Sequence, residues 1–180
     1  RAYWMTIHQV NSMLLTGSLA ICYEFLSFNS KSSIFKIKKQ LLRVVLLSLA
    51  FMLVAGFGAL AALSGTLFPT EDLITGIFKD FSADSHIFIR LRVSHPLLAC
   101  IFGFTMIYIT LNTEGNLLLR ERSKNLLWLF VVALCVGFAT LFLLSPTYLK
   151  LSHLAMAHIL WMYFLLWVQS FVPKNRITLA

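Results

Sequence analysis

Five apolar runs divide the 180-residue chain, near Tyr3–Leu26, Val44–Phe68, Val93–Asn112, Leu126–Ser145 and Leu151–Val172. Each has the length a helix needs to cross a bilayer, about 17–25 residues. Only 12% of the residues are charged and 59% are hydrophobic, where a soluble domain of this size carries roughly 25% charge. The fold class is therefore all-α, a polytopic membrane helical bundle with five transmembrane helices. Five is an odd count for a bundle, and the chain opens at Arg1 with almost no polar leader. It reads as a fragment of a longer protein.

The net charge of +8 follows topology. The connection after the first span carries Lys31, Lys36, Lys38, Lys39 and Arg43 without an acid, the third connection has Arg120, Arg122 and Lys124, and the tail has Lys174 and Arg176. The intervening connections are poorer in base: Thr70–Arg92 holds Glu71, Asp72, Asp80 and Asp84 against Lys79, Arg90 and Arg92, and the one around Pro146 has only Lys150. The positive-inside rule then places the Lys31–Arg43 loop, the Arg120–Lys124 loop and the C-terminus in the cytoplasm. Nucleic acid is not needed to explain the charge. Cys22, Cys100 and Cys135 fall within spans and read as small buried apolar residues. No C-x-x-C-H haem-attachment motif is present.

In the second span Gly58, Ala62 and Gly65 share one smooth face. Small-residue helix packing accounts for it, and a flat ligand against the same face is compatible. Pro69 ends that span. Thr70-Glu71-Asp72 supplies an N-cap, and Leu73, Ile74, Ile77, Phe78 and Phe81 follow at helical spacing. This predicts a short amphipathic helix over 70–81 on the outer interface, either a lid or a shield for the bundle edge. Tyr3, Trp4, Tyr148, Trp161, Tyr163 and Trp167 lie toward span ends or bundle faces, some as interface anchors. Ser27–Lys39 is a polar, basic seam.

Three histidines, His8, His95 and His153, enter three apolar segments near one side of the membrane, each followed at i+4 by a small residue, Ser12, Ala99 and Ala157. An imidazole in a membrane segment is costly and needs a partner. A positive helix end favours the neutral ring that metal ligation requires, so the pattern suggests axial ligation of a haem between helices. His95 and His153 match in depth and form the pair. His158 points about 140° away from His153 at 100° per residue and is a hydrogen-bonded or outer-shell residue; His86 reads as solvated. Pro96 makes a local irregularity at the top of the third span. Arg90 and Arg92, about one turn above His95, anchor the helix at the headgroups or pair with haem propionates. Zinc is a weaker option, because no Cys or carboxylate accompanies the histidines. Proton-relay histidines would be expected to have intramembrane carboxylates beside them.

The strings MTIHQVNSMLLTGSLA, ALAALSGTLFPTEDL, FIRLRVSHPLLA and LSHLAMAHILW resemble the haem A synthase (cytochrome oxidase assembly) family, over essentially the whole chain. That family has eight spans in two related four-helix bundles. The resemblance implies that residues 1–30 are the last helix of the N-terminal bundle and 31–43 a cytoplasmic linker. Residues 44–172 would form a haem-binding four-helix bundle, and 173–180 a cytoplasmic tail. It further implies oxidation of the C8 methyl of haem O to a formyl, an oxidoreductase activity acting on a CH3 group. His95 and His153 would ligate a haem b relay, and His8 would ligate the iron of the substrate haem O with a partner outside this chain. The fragment alone would be inactive. Two departures stand out: an outer-loop cysteine pair of some members is absent, and His158 stands where many have Asp. The expected setting is a bacterial cytoplasmic membrane with the haem sites toward the outer side. Expected partners are membrane lipid, haem O synthase, an electron acceptor and further copies of the chain. The rival reading is a membrane cytochrome b that carries electrons or anchors a dehydrogenase; a third is a colourless transporter or scaffold.

Overall fold

The computed structural model describes residues 2–28, 38–112 and 117–170. Of the expected linker at 31–43, residues 31–37 lie outside the described residues, as does the tail at 173–180, while 38–43 are described and helical. Seven helices occur among those described: α1 (Ala2–Phe28), α2 (Lys38–Leu67), α3 (Leu73–Phe81), α4 (Ile87–Leu91), α5 (Ser94–Leu111), α6 (Leu117–Phe142) and α7 (Thr147–Gln169). Four segments, Leu42–Leu67, Ile87–Leu111, Leu117–Phe142 and Thr147–Gln169, are long and apolar enough to cross a membrane. The expectation of five spans is corrected to this extent. α1 is a 27-residue helix but is not among the four, because His8, Gln9, Asn11, Ser12, Thr16 and Ser18 dilute its hydropathy.

The long helices α2, α5, α6 and α7 form a closed ring, each packing on the next and α7 returning to α2. An aromatic core holds the ring. Phe51 stacks on Phe164 at 5.7 Å and meets Phe102 edge-on at 5.5 Å and Trp161 at 5.1 Å. Gly103 lets α5 and α6 approach closely, since a β-carbon there would run into the Phe130 ring. The interface-anchor reading divides accordingly: Trp161 and Trp167 are buried, while Tyr3, Trp4 and Tyr148 are exposed. Cys22 and Cys135 are also exposed, against the buried reading, because they sit on the outward sides of α1 and α6.

Helix ends follow local chemistry. Pro96 lacks the N–H that would bond the Arg92 carbonyl four residues back, and the chain breaks there, at Arg92–Val93, between α4 and α5. α6 and α7 reverse at Leu144 and Ser145, both left-handed with φ of 57° and 59°. Such residues cost of order 1 kcal/mol each outside glycine. The Ser145 N–H bonding back to the Thr140 carbonyl at 2.7 Å offsets part of that cost. α6 begins nine residues before the expected Leu126, so Arg120, Arg122 and Lys124 are helical and not in a loop.

α3 is the amphipathic helix the sequence predicts, with Ile74, Ile77, Phe78 and Phe81 exposed. Asp72 caps it by accepting the Thr75 N–H at 2.8 Å. That backbone hydrogen bond holds the exposed Asp72 carboxyl below its ordinary value of 3.8. A depressed carboxylate pKa contributes stability that is present above the unfolded value and lost as pH falls through the folded one. In an NMR titration the Thr75 amide should therefore shift as the pH drops below 3.8, and the shift should vanish in Asp72→Asn. A titration midpoint at or above the ordinary value would contradict the cap.

α1 docks on α7 and α2. A β-carbon at Gly17 would lie 2.5 Å from Trp161 Nε1, and that indole donates to the Met13 carbonyl at 2.7 Å. At the far end from the histidines the Arg122 guanidinium donates to Glu24 Oε1 at 2.8 Å, to the Leu166 carbonyl at 2.6 Å and to Ser170 Oγ at 3.0 Å. Both charged side chains are about nine-tenths buried.

Candidate haem site

α5 and α7 bring His95 and His153 together inside the ring, with imidazole centroids 6.0 Å apart and planes at 74°. The two side chains are built alike. His95 Nδ1 lies 3.0 Å from the Val54 carbonyl. A carbonyl only accepts, so the proton is on Nδ1 and Nε2 keeps its lone pair. One turn along α2, Gly58 lies against the same ring: a β-carbon there would meet His95 Cε1 at 2.9 Å. On the other side Gly137 of α6 lies against His153 Cε1, again at 2.9 Å from an ideal β-carbon. The buried His153 Nδ1, unlike that of His95, has no hydrogen-bond partner among the described residues.

The α6–α7 hairpin fixes this second half. Gly137 lies eight residues before Ser145 and His153 eight after it, so the reversal sets them side by side. Beneath the pair, Phe51, Phe102, Phe130, Leu160 and Phe164 leave a cavity of only about 10 Å³, room for at most one water. Two imidazoles with centroids 6.0 Å apart above an apolar floor are close enough to hold one metal between them, and the glycines leave each ring free of side-chain crowding. Among the described residues no group of three or more His, Cys, Asp or Glu side chains could hold a bare metal ion.

The other predicted positions fall outside this pair. His8 is exposed on α1. Arg92 donates from Nε to Asp80 Oδ1 at 2.7 Å and from its terminal nitrogen to the Gly76 carbonyl at 3.5 Å, tying α3 to the head of α5. Arg90 is exposed on α4. His158 is hydrogen-bonded, with Nε2 3.1 Å from Ser12 Oγ and Nδ1 3.0 Å from the Leu154 carbonyl. His86 is exposed but has local partners: its Nδ1 accepts the Phe88 N–H and caps α4, and its ring stacks on Phe68 at 5.1 Å. Sequence reasoning overlooked Gly137 and the carbonyl of Val54. A signal was available, since FMLVAGFG at 51–58 and FVVALCVG at 130–137 share Phe and Gly at the same seven-residue spacing.

No family model matches the chain, and no solved structure gives a significant match. Two curated proteins from two strains of Thermus thermophilus, each named protoheme IX farnesyltransferase, are 25% identical to it over 178 residues. The match covers 97% of this chain and 29% of each relative. The chain thus spans about three-tenths of the length of the curated relatives it matches. These names overturn the haem A synthase resemblance. They describe transfer of a farnesyl group to protohaem, a transferase reaction, and neither oxidation of a CH3 group nor an electron-carrying cytochrome b. The oxidoreductase assignment is corrected with it.

Proposed function

We propose that this chain is a membrane-embedded haem-holding unit, taking protohaem IX between His95 and His153, in a protein similar to the protoheme IX farnesyltransferases. The observation that carries the reading is the 6.0 Å between the imidazole centroids. With each ring nitrogen about 2 Å from a metal and each centroid about 1 Å further back, an axial pair stands about 6 Å apart. The glycine clearances and the His153 Nδ1 without a well-formed bond also suit a ring that a ligand would fix. Bound there, protohaem would supply an iron for the His95 and His153 imidazoles to hold. The chain's own groups do the rest: Val54 orients His95, and the aromatic floor sets the depth and excludes water.

The propionate role read from the sequence is kept in a narrower form. Arg90, exposed, would meet a propionate directly, whereas Arg92 would share its guanidinium with Asp80. By the charge of the connections, the histidine end would face away from the cytoplasm. His8 has no part in this reading. Haem holding is proposed, and not transfer, because farnesyl transfer is the activity named for proteins more than three times as long as the matched segment.

Titration of the detergent-purified chain with protohaem tests it. The expected result is saturable binding of about one haem per chain with a six-coordinate low-spin spectrum. Non-saturable partition with a free-haem spectrum would overturn it.

A further inference from the structure

We infer that Gly58 and Gly137 are positioning residues, the two halves of an internally repeated device that aims the His95 and His153 imidazoles at one point between them. The inference rests on the haem reading for its purpose, but its geometry stands without a ligand.

The two halves correspond residue by residue. Phe51, Val54 and Gly58 on α2 match Phe130, Ala133 and Gly137 on α6, at an offset of 79 residues. In each half the aromatic ring joins the floor and the glycine clears the imidazole Cε1, and on α2 the backbone at the fourth position also bonds the imidazole Nδ1. The histidine comes in each case from the next long helix of the ring, α5 or α7. A helix presents a residue and its i+4 neighbour on one face, so a single stripe both holds Nδ1 and leaves room for the ring edge.

Glycine is required there by distance. A β-carbon 2.9 Å from Cε1 lies well inside van der Waals contact at both positions, so the imidazole must move. His95 cannot move without lengthening its 3.0 Å bond to the Val54 carbonyl, which belongs to the same stripe. His153 lacks a well-formed bond at Nδ1 and can swing at lower cost. The two glycines are therefore equivalent in clearance but unequal in consequence.

The test uses Gly58→Ala and Gly137→Ala in the haem-loaded chain, with carbon monoxide added to the reduced protein. A haem with two histidine ligands has no open axial position; one with a displaced imidazole does. Wild type should bind no carbon monoxide, and both variants should bind it, Gly58→Ala more completely. Gly56→Ala adds the same methyl two residues away, toward Thr6 of α1, and should behave as wild type. Wild-type spectra and no carbon monoxide binding in both variants would overturn the inference while leaving the haem reading intact. A wild-type chain that takes up no haem would instead remove the haem reading.

A measurement without haem guards against a variant that folds poorly. In the apo chain Gly58→Ala should lower the melting temperature, and the loss should disappear in the His95→Ala background, where the clashing ring is gone. Equal losses in both backgrounds would show that the glycine serves helix packing alone, and would overturn the inference.

Discussion

Replacing His153 with alanine should abolish the low-spin haem spectrum, and so should His95→Ala, but the two variants should not fail alike. Each substitution removes one axial ligand, and haem affinity should fall by at least about a hundredfold, the upper end of what loss of an outer-shell partner alone costs a metal site. In His153→Ala the remaining imidazole is held by its bond to the Val54 carbonyl, so a five-coordinate high-spin haem should persist at substoichiometric level. In His95→Ala the remaining ring lacks that restraint, and residual haem should be lower. Free imidazole should restore the low-spin spectrum to His153→Ala by entering the vacated space beside Gly137. Haem content by pyridine haemochrome, with spectra before and after imidazole, reads all three effects. An unchanged low-spin spectrum in either variant would falsify the ligand assignment.

Arg122→Ala should be the most destabilising single change at the opposite end of the bundle. It removes together the Arg122 bonds to Glu24, the Leu166 carbonyl and Ser170, beside a carboxylate about nine-tenths buried. Breaking a buried pair by removing one partner costs about 3–5 kcal/mol, whereas replacing both with apolar side chains of similar volume is often neutral or better. Glu24→Leu combined with Arg122→Met should therefore recover most of the stability lost in Arg122→Ala. Thermal unfolding in detergent checks this, with a drop of several degrees expected for the single variant and near-wild-type behaviour for the pair. A single variant that melts with wild type would mean that the carboxylate regains solvent when its partner leaves.

Much of the frame was legible because the determinants are local. An imidazole inside an apolar run declares itself, and His95 and His153 come together as the sequence predicts. Asp72 ahead of an apolar helical pattern gave the start of α3, and Pro96 marked the break before α5. What was missed depends on contacts distant in sequence. Arg122 looked like a loop cation because charge clusters usually mark loops, and only α1 and α7 closing around it make it a buried helical residue. The polar residues scattered along α1 set it apart from the four apolar spans. Gly137 was marked only by the likeness of 130–137 to 51–58, and its role shows once His153 is set against it. Three of the four strings that suggested a haem-oxidising enzyme carry a histidine in an apolar run, and histidine placement alone does not specify a reaction.

The matching of the two half-sites bears on how a lopsided molecule would be read. Protohaem has unlike faces, yet each face would meet an imidazole cleared by a glycine at the same distance. Axial contacts of that kind cannot tell one insertion from its mirror-related alternative, so a mixture of orientations is the outcome unless the periphery decides. The periphery is where the likeness ends. One flank carries α3, α4 and the Arg92–Asp80 pair, and the other has only the reversal at Leu144–Ser145. Whatever handedness the chain imposes on its ligand must be written along that rim.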